Sequence, residues 1–211
     1  APRYRERNGT LAARSSNLVL AFPTALHQRM KQLGSACQAS AFHVLLAALQ
    51  VYFCRSAQRD EWVVGLPLLN RSNARFKSTL GLFTQVSAVR FPVDQGLSFS
   101  AQVRATSEVL KQDFRHQRFP LSEMNRALGL LREDRAQLFD VSVSYEKEDH
   151  DYRYGEALAQ SVKVSNNHEP MPLAIHLRSN ACNDQTWVHY VYNEAYFQRA
   201  EVEALAQRLI Y

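Results

Sequence analysis

The residues best suited to move protons in this chain are its seven histidines: His27, His43, His116, His150, His168, His176 and His189. No two are adjacent. A histidine acting as general base needs a group to orient it and a nucleophile to serve. Neither His168 nor His176 has a nucleophile or carboxylate at a telling spacing, so both read as ordinary polar residues. His43 and Gln50 lie seven apart, hence on one helix face, and read as a polar rim or as partners of a carbonyl. No G-x-S-x-G elbow occurs, so serine-nucleophile chemistry has no support. The three cysteines, Cys37, Cys54 and Cys182, are scattered without a C-x-x-C. Neither a zinc site nor a disulfide framework is expected, and no metal. Gln85, Ser142 and Ser144 are more telling, because each interrupts an otherwise apolar strand. They are expected to line a polar channel, the alternative being a solvent-facing sheet surface.

The elements that must hold these side chains follow from hydrophobic periodicity. Two apolar runs, 62–66 and 81–89, read as core strands. Between them 70–79 carries Arg71, Arg75 and Lys77 and no apolar run, so it reads as a loop. A short strand is expected over 18–22. Pro23 then opens a helix with a stripe of Leu26, Met30 and Leu33, closed by Gly34. The stretch 36–56 is apolar on nearly all sides and reads as a core helix. An amphipathic helix follows over 98–114 and another over 121–128, separated by Phe119-Pro120. Alternation predicts strands over 139–145, 161–164, 173–177 and 187–192. The charged stretch 146–155 reads as a surface excursion, and a helix over 197–211 closes the chain on Val202, Leu205, Ala206 and Leu209. This succession argues an α/β domain, a mixed β-sheet flanked by helices.

Composition sets the outer limits. With 211 residues, 46% hydrophobic and 21% charged, the chain can bury one substantial core or two small ones. No apolar run approaches the roughly 20 residues of a membrane span, so no membrane partner is expected. No signal peptide is visible and the odd cysteine count suits a reducing compartment, which together predict a cytoplasmic location. The net charge of +5 is spread along the chain and mixed with acids, which argues against nucleic acid as a partner. Residues 1–16 read as a linker.

Several short motifs resemble those of one family. Gly65-Leu66-Pro67 followed by Asn70-Arg71 resembles a G-x-P…R stretch. Leu80-Gly81-Leu82-Phe83-Thr84-Gln85, closing at Arg90, is similar to G-x-F-V-N-T…R, with Thr84 and Gln85 where the family has Val and Asn. His116-Gln117-Arg118-Phe119-Pro120-Leu121 resembles H-Q-D-x-P-F, with Arg118 replacing the acid. Arg132 to Arg135 with Leu138-Phe139 resembles R-x-x-x-R-N-P-L-F, with Ala136-Gln137 replacing Asn-Pro. These are motifs of the C-terminal half of condensation domains of nonribosomal peptide synthetases, and the resemblance covers nearly the whole chain. The family's H-H-x-x-x-D-G is absent.

That resemblance implies residues 17–211 as one lobe of a chloramphenicol acetyltransferase-like two-lobed fold. It implies a substrate tunnel between the lobes and an N-terminal partner lobe that carries the catalytic histidines. It also implies carrier-protein partners, whose phosphopantetheine arms deliver thioesters, with no cofactor bound by the lobe itself. The activity would be amide bond formation, absent from this lobe alone. Related epimerization and cyclization domains, and a non-catalytic interaction domain of the same fold, stay open as alternatives. By the same resemblance Arg71, Arg75 and Lys77 lie on a floor loop under the cleft. The stretch 165–172, with Asn167, His168 and Glu169, matches a latch crossing to the other lobe. Both are expected to be unsupported in an isolated lobe. Gly65, Pro67, Gly81, Phe83, Arg90, Pro120 and Phe139 are expected to be structural, with Arg90 pairing a carboxylate or capping carbonyls.

Overall fold

The computed structural model describes residues 14–71, 73–130, 137–148, 153–158, 164–180 and 185–210. Its elements run β1 (Ser15–Phe22), α1 (Thr24–Ala36), α2 (Ala41–Ala57), β2 (Glu61–Leu68), α3 (Ala74–Ser78), β3 (Gln85–Pro92), α4 (Phe99–Phe114), α5 (Leu121–Ala127), β4 (Val141–Glu148), β5 (Arg153–Tyr154), β6 (Ala157–Leu158), β7 (Leu173–Asn180), β8 (Thr186–Asn193) and α6 (Arg199–Ile210). The six longer strands are ordered β1-β8-β7-β4-β2-β3, and β5 and β6 form a separate hairpin. Pairing is antiparallel for β1 with β8, β7 with β8 and β2 with β3, and parallel for β2 with β4 through Gly65 and Ser142. The mixed sheet flanked by helices is the architecture expected from the sequence. The chain divides into two compact units, residues 33–143 and residues 1–32 with 144–211.

In the first-and-last unit, alternation sorts β1, β8 and β7 into two faces. Leu18, Leu173, Ile175, Leu177, Val188, Tyr190 and Tyr192 lie on one face and are buried. Helix α6 buries Val202, Leu205 and Ala206, the stripe its periodicity announces. Helix α1 buries Met30 and also His27, which is 0% exposed. The ring of His27 bridges Thr186 Oγ1 through Nδ1 at 2.9 Å and Tyr145 OH through Nε2 at 3.1 Å, which satisfies both nitrogens.

In the unit of residues 33–143, α2 is the core helix expected, but it begins at Ala41, with Ser40 as N-cap. Gly34 does not end α1. It sits within the last turn, because the backbone of Ser40 passes so close that a Cβ would meet Ser40 C at 2.8 Å. Gly65 is required for a similar reason: its Cβ would lie 2.3 Å from the ring of Phe139. Strand β2 runs past Pro67 to Leu68, and β3 starts only at Gln85, because Gly81 turns the backbone at φ +143. The expected loop over 70–79 contains α3, capped by Asn73 Oδ1 accepting from Phe76 N. Gln50 explains its burial by donating to Pro92 O at 2.8 Å and accepting from Thr106 Oγ1 at 3.0 Å.

Other expectations shift by a few residues. Ser15 and Ser16 belong to β1 rather than to a linker, and β4 continues to Glu148 into the stretch read as an excursion. The Arg132–Arg135 motif, most of the expected strand over 161–164 and residues 1–13 of the expected linker lie outside the described residues.

Candidate functional site

Arg71, Arg75 and Lys77 do not behave alike. Arg71 donates to Phe76 O, to Thr79 O at 2.8 Å and to Gly81 O at 3.0 Å. Its guanidinium also lies 4.4 Å from the centroid of the Phe83 ring, which is 5.4 Å from that of Phe76. The planar, five-donor head suits such multiple capping. Arg71 is therefore the staple of its own loop, whereas Arg75 and Lys77 are exposed. So are the flanking leucines: Leu80 is 98% and Leu82 91% exposed. The expectation of an unsupported loop thus fails locally, through the Arg71 staple, although its apolar tip is bare.

Gln85, grouped with Ser142 and Ser144 from the sequence, lies at the start of β3. It donates from Nε2 to Phe119 O at 2.5 Å, tying β3 to the turn before Pro120, which occupies the N-cap of α5. Arg90 reaches Glu61 at 3.8 Å with both side chains exposed, a pair worth under about 1 kcal/mol. Phe139 is buried against Gly65. The stretch matching a latch is anchored within its own unit. Ser15 N donates to Asn167 O at 3.0 Å, Arg14 and His168 form a β-bridge, and Asn193 Nδ2 donates to Glu169 O at 2.9 Å.

The polar interruptions of β4 lead to a cluster. Ser142 and Ser144 are 3% and 9% exposed, because β4 is an inner strand. Ser144 Oγ lies 2.7 Å from His176 Nδ1 and donates to Glu146 Oε1 at 3.0 Å. His176 Nδ1 is 3.4 Å from the same carboxylate oxygen. The other oxygen, Oε2, is held by Arg178 through Nε and a terminal nitrogen, both at 2.8 Å. The hydrogen bond from His176, then the charge of Arg178 and the hydroxyl of Ser144, hold the Glu146 carboxyl down to about 2 against burial, which pushes it up. Alternation places Ser144 with Glu146 on one face of β4, and His176 with Arg178 on one face of β7. In the register with β8 that face continues as His189 and Trp187, and on β1 as Val19 and Ala21. Val19, Ala21 and Trp187 are exposed, so this face is half open while its reverse is core. Sequence reading found Ser144 and passed over Glu146, His176 and Arg178 as a group. Each strand's alternation was readable, but the adjacency of β4 and β7 was not.

The mixed sheet flanked by helices has the fold of condensation domains of known structure. The Condensation domain family model matches residues 2–211, so the chain belongs to the condensation domain family. It is 26% identical over 189 residues to surfactin synthase subunit 1 of Bacillus subtilis (strain 168), covering 89% of this chain and 5% of that protein. To tyrocidine synthase 3 of Brevibacillus parabrevis it is 28% identical over 189 residues, covering 86% of this chain and 3% of that one. Among solved structures, the condensation domain of the monacolin K polyketide synthase MokA superposes with a TM-score of 0.84 at 16% identity, covering 97% of this chain and 48% of that one. The X-domain from teicoplanin biosynthesis gives 0.84 at 21%, covering 98% and 48%. The chain thus spans about half the length of the solved structures it matches.

Proposed function

We propose that this chain is the C-terminal lobe of a condensation domain that joins two carrier-bound thioesters by an amide bond in nonribosomal peptide biosynthesis. The observation that carries the reading is the match along residues 2–211 that still spans only 48% of a solved condensation domain. The half-open sheet face and the bare leucines at the tip of 70–82 support it, since both are surfaces a sister lobe would cover. In this role the lobe supplies one wall of the tunnel, with Arg75 and Lys77 on the floor loop. It binds no cofactor of its own and meets the phosphopantetheine arms of carrier proteins, whose acidic character the net charge of +5 suits.

The histidine motif of the family's N-terminal half has no counterpart here, so the chain alone is inactive in this reading. Mixing it with an N-terminal lobe and two loaded carriers should restore amide formation, read by mass spectrometry of the carrier-bound product. Amide formed by the chain alone, or none with the partner lobe, overturns the reading. A second reading is a non-catalytic interaction domain of the same fold. It is favoured by the likeness to the X-domain in its complex with OxyB from teicoplanin biosynthesis, at a TM-score of 0.81 and 21% identity.

A further inference from the structure

The tip of 70–82 is held in place from two sides. Two guanidiniums flank a pair of rings. Arg71 lies 4.4 Å from the centroid of Phe83, the Phe83 and Phe76 centroids are 5.4 Å apart, and Arg118, from the turn after α4, lies 5.4 Å from that of Phe76. The bond from Gln85 Nε2 to Phe119 O ties the same turn to β3. All of these residues belong to the unit of 33–143. What this frame presents is apolar and bare, because Leu69, Leu80, Leu82 and Phe119 are all exposed. Leucines left in water contribute no burial, and a cluster of them marks a surface that something covers.

The charge around the tip has one sign. No acid occurs from 62 to 93, a stretch that holds Arg71, Arg75 and Lys77. Arg75, Lys77, Arg115 and Arg118 are exposed. Of the acids flanking the α4–α5 turn, Glu123 is paired with Arg126 and Asp113 is half-buried. Arg118 also stands where the H-Q-D-x-P-F motif carries an acid, so the basic ring is particular to this chain rather than a property of the motif.

We propose, resting on the half-domain reading above, that this tip is a preformed plug for the sister lobe. Leu80 and Leu82 enter an apolar socket whose rim carries carboxylates facing Arg75, Lys77 and Arg118. Arg71 is a positioning residue, since its bonds to three carbonyls fix the tip before contact. A tip ordered in advance loses little freedom on docking, so its leucines contribute to affinity nearly in full. The cations act mainly on the rate of encounter and on the choice of partner. A lobe built to meet the motif's acid would face Arg118 with like charge, so Arg118 makes the pairing of lobes selective. The missing half is the occupant because the chain spans 48% of a solved condensation domain, and a surface of this sign selects an acidic one.

The test is the association of this chain with a separately produced N-terminal lobe of the same domain, followed by biolayer interferometry. L80S/L82S should weaken binding about a hundredfold, mostly through faster dissociation. R75E/K77E should slow association about tenfold and leave dissociation nearly unchanged, a split that misfolding would not give. R118D, which restores the acid of the motif, should slow association likewise. Raising the salt from about 0.05 to about 0.5 M should slow the wild type in the same way and affect R75E/K77E little. R71M should weaken binding about tenfold, with both leucines still in place. Wild-type affinity in L80S/L82S overturns the plug. Association of R75E/K77E at the wild-type rate overturns the acidic rim. Self-association of the chain that L80S/L82S abolishes, with binding of the partner lobe intact, makes the occupant a second copy and overturns the socket. Wild-type lobes that never associate overturn the half-domain reading itself, whereas association indifferent to Leu80 and Leu82 overturns the plug alone.

Discussion

At the scale of single residues, two titrations set how stability follows pH. Glu146 drops from an ordinary 4.5 to about 2 in the folded state. A depressed carboxyl contributes stability that is complete above the unfolded value and is lost as pH falls from about 4.5 toward about 2. Urea midpoints measured between pH 6 and pH 3 should therefore fall more steeply for the wild type than for E146Q. Parallel slopes would show the cluster contributes no linkage. His43 moves the same way for the opposite chemical reason. Its Nδ1 accepts from Ser40 N at 3.0 Å and stands 2.7 Å from Ser40 Oγ, so protonation there removes the acceptor. Burial, and then the charge of Lys111, lower its pKa below 6.5. The unfolded chain then binds the proton more readily, so stability is lost as pH falls below about 6.5. H43Q should flatten that part of the profile, read from thermal midpoints between pH 7.5 and pH 5.5. The sequence showed His43 and Gln50 on one face, but their partners differ. One closes the start of its own helix, and the other reaches a carbonyl 42 residues away, which periodicity alone does not reveal.

At the scale of elements, the strands were read from alternation and the helices from their stripes, and most appear within a few residues of where periodicity put them. The errors share a cause. Periodicity makes Gly34 and Pro67 punctuation and Gly81 part of a strand, but Gly34 is fixed by close approach of another segment, β2 runs straight through Pro67, and Gly81 turns the backbone ahead of β3. A glycine's meaning depends on what packs against it, and composition does not tell. Gly65 shows the consequence: G65A should cost about 1–3 kcal/mol by overpacking against Phe139. The double variant G65A/F139L should recover part of the loss in urea titrations. No recovery would mean the strand itself rejects the methyl. Arg71 can be tested as a staple. R71M removes donors to three carbonyls, so limited proteolysis should cut within 70–82 faster than in the wild type with the helical circular dichroism signal unchanged.

At the scale of the whole molecule, the family was legible because its motifs sit at turns and strand ends, where local sequence is decisive. The cluster of Ser144, Glu146, His176 and Arg178 was not legible, because it is assembled by a strand order that pairs residues more than thirty positions apart. Among the described residues no single helix is long and apolar enough to cross a membrane. The order of strands has one more consequence, for synthesis on the ribosome. Ser15 pairs with Asn193, so β1 has no partner in β8 until the strands and helices between them have emerged. Residues 33–143 carry their own contacts and are free to close meanwhile. Pulse-labelled hydrogen exchange during refolding should find β2 and β3 protected before β1 and β8, since distant pairings close last. A nascent chain halted before residue 186 would leave β1 as an unpaired ribbon, the state in which a chaperone has most to hold.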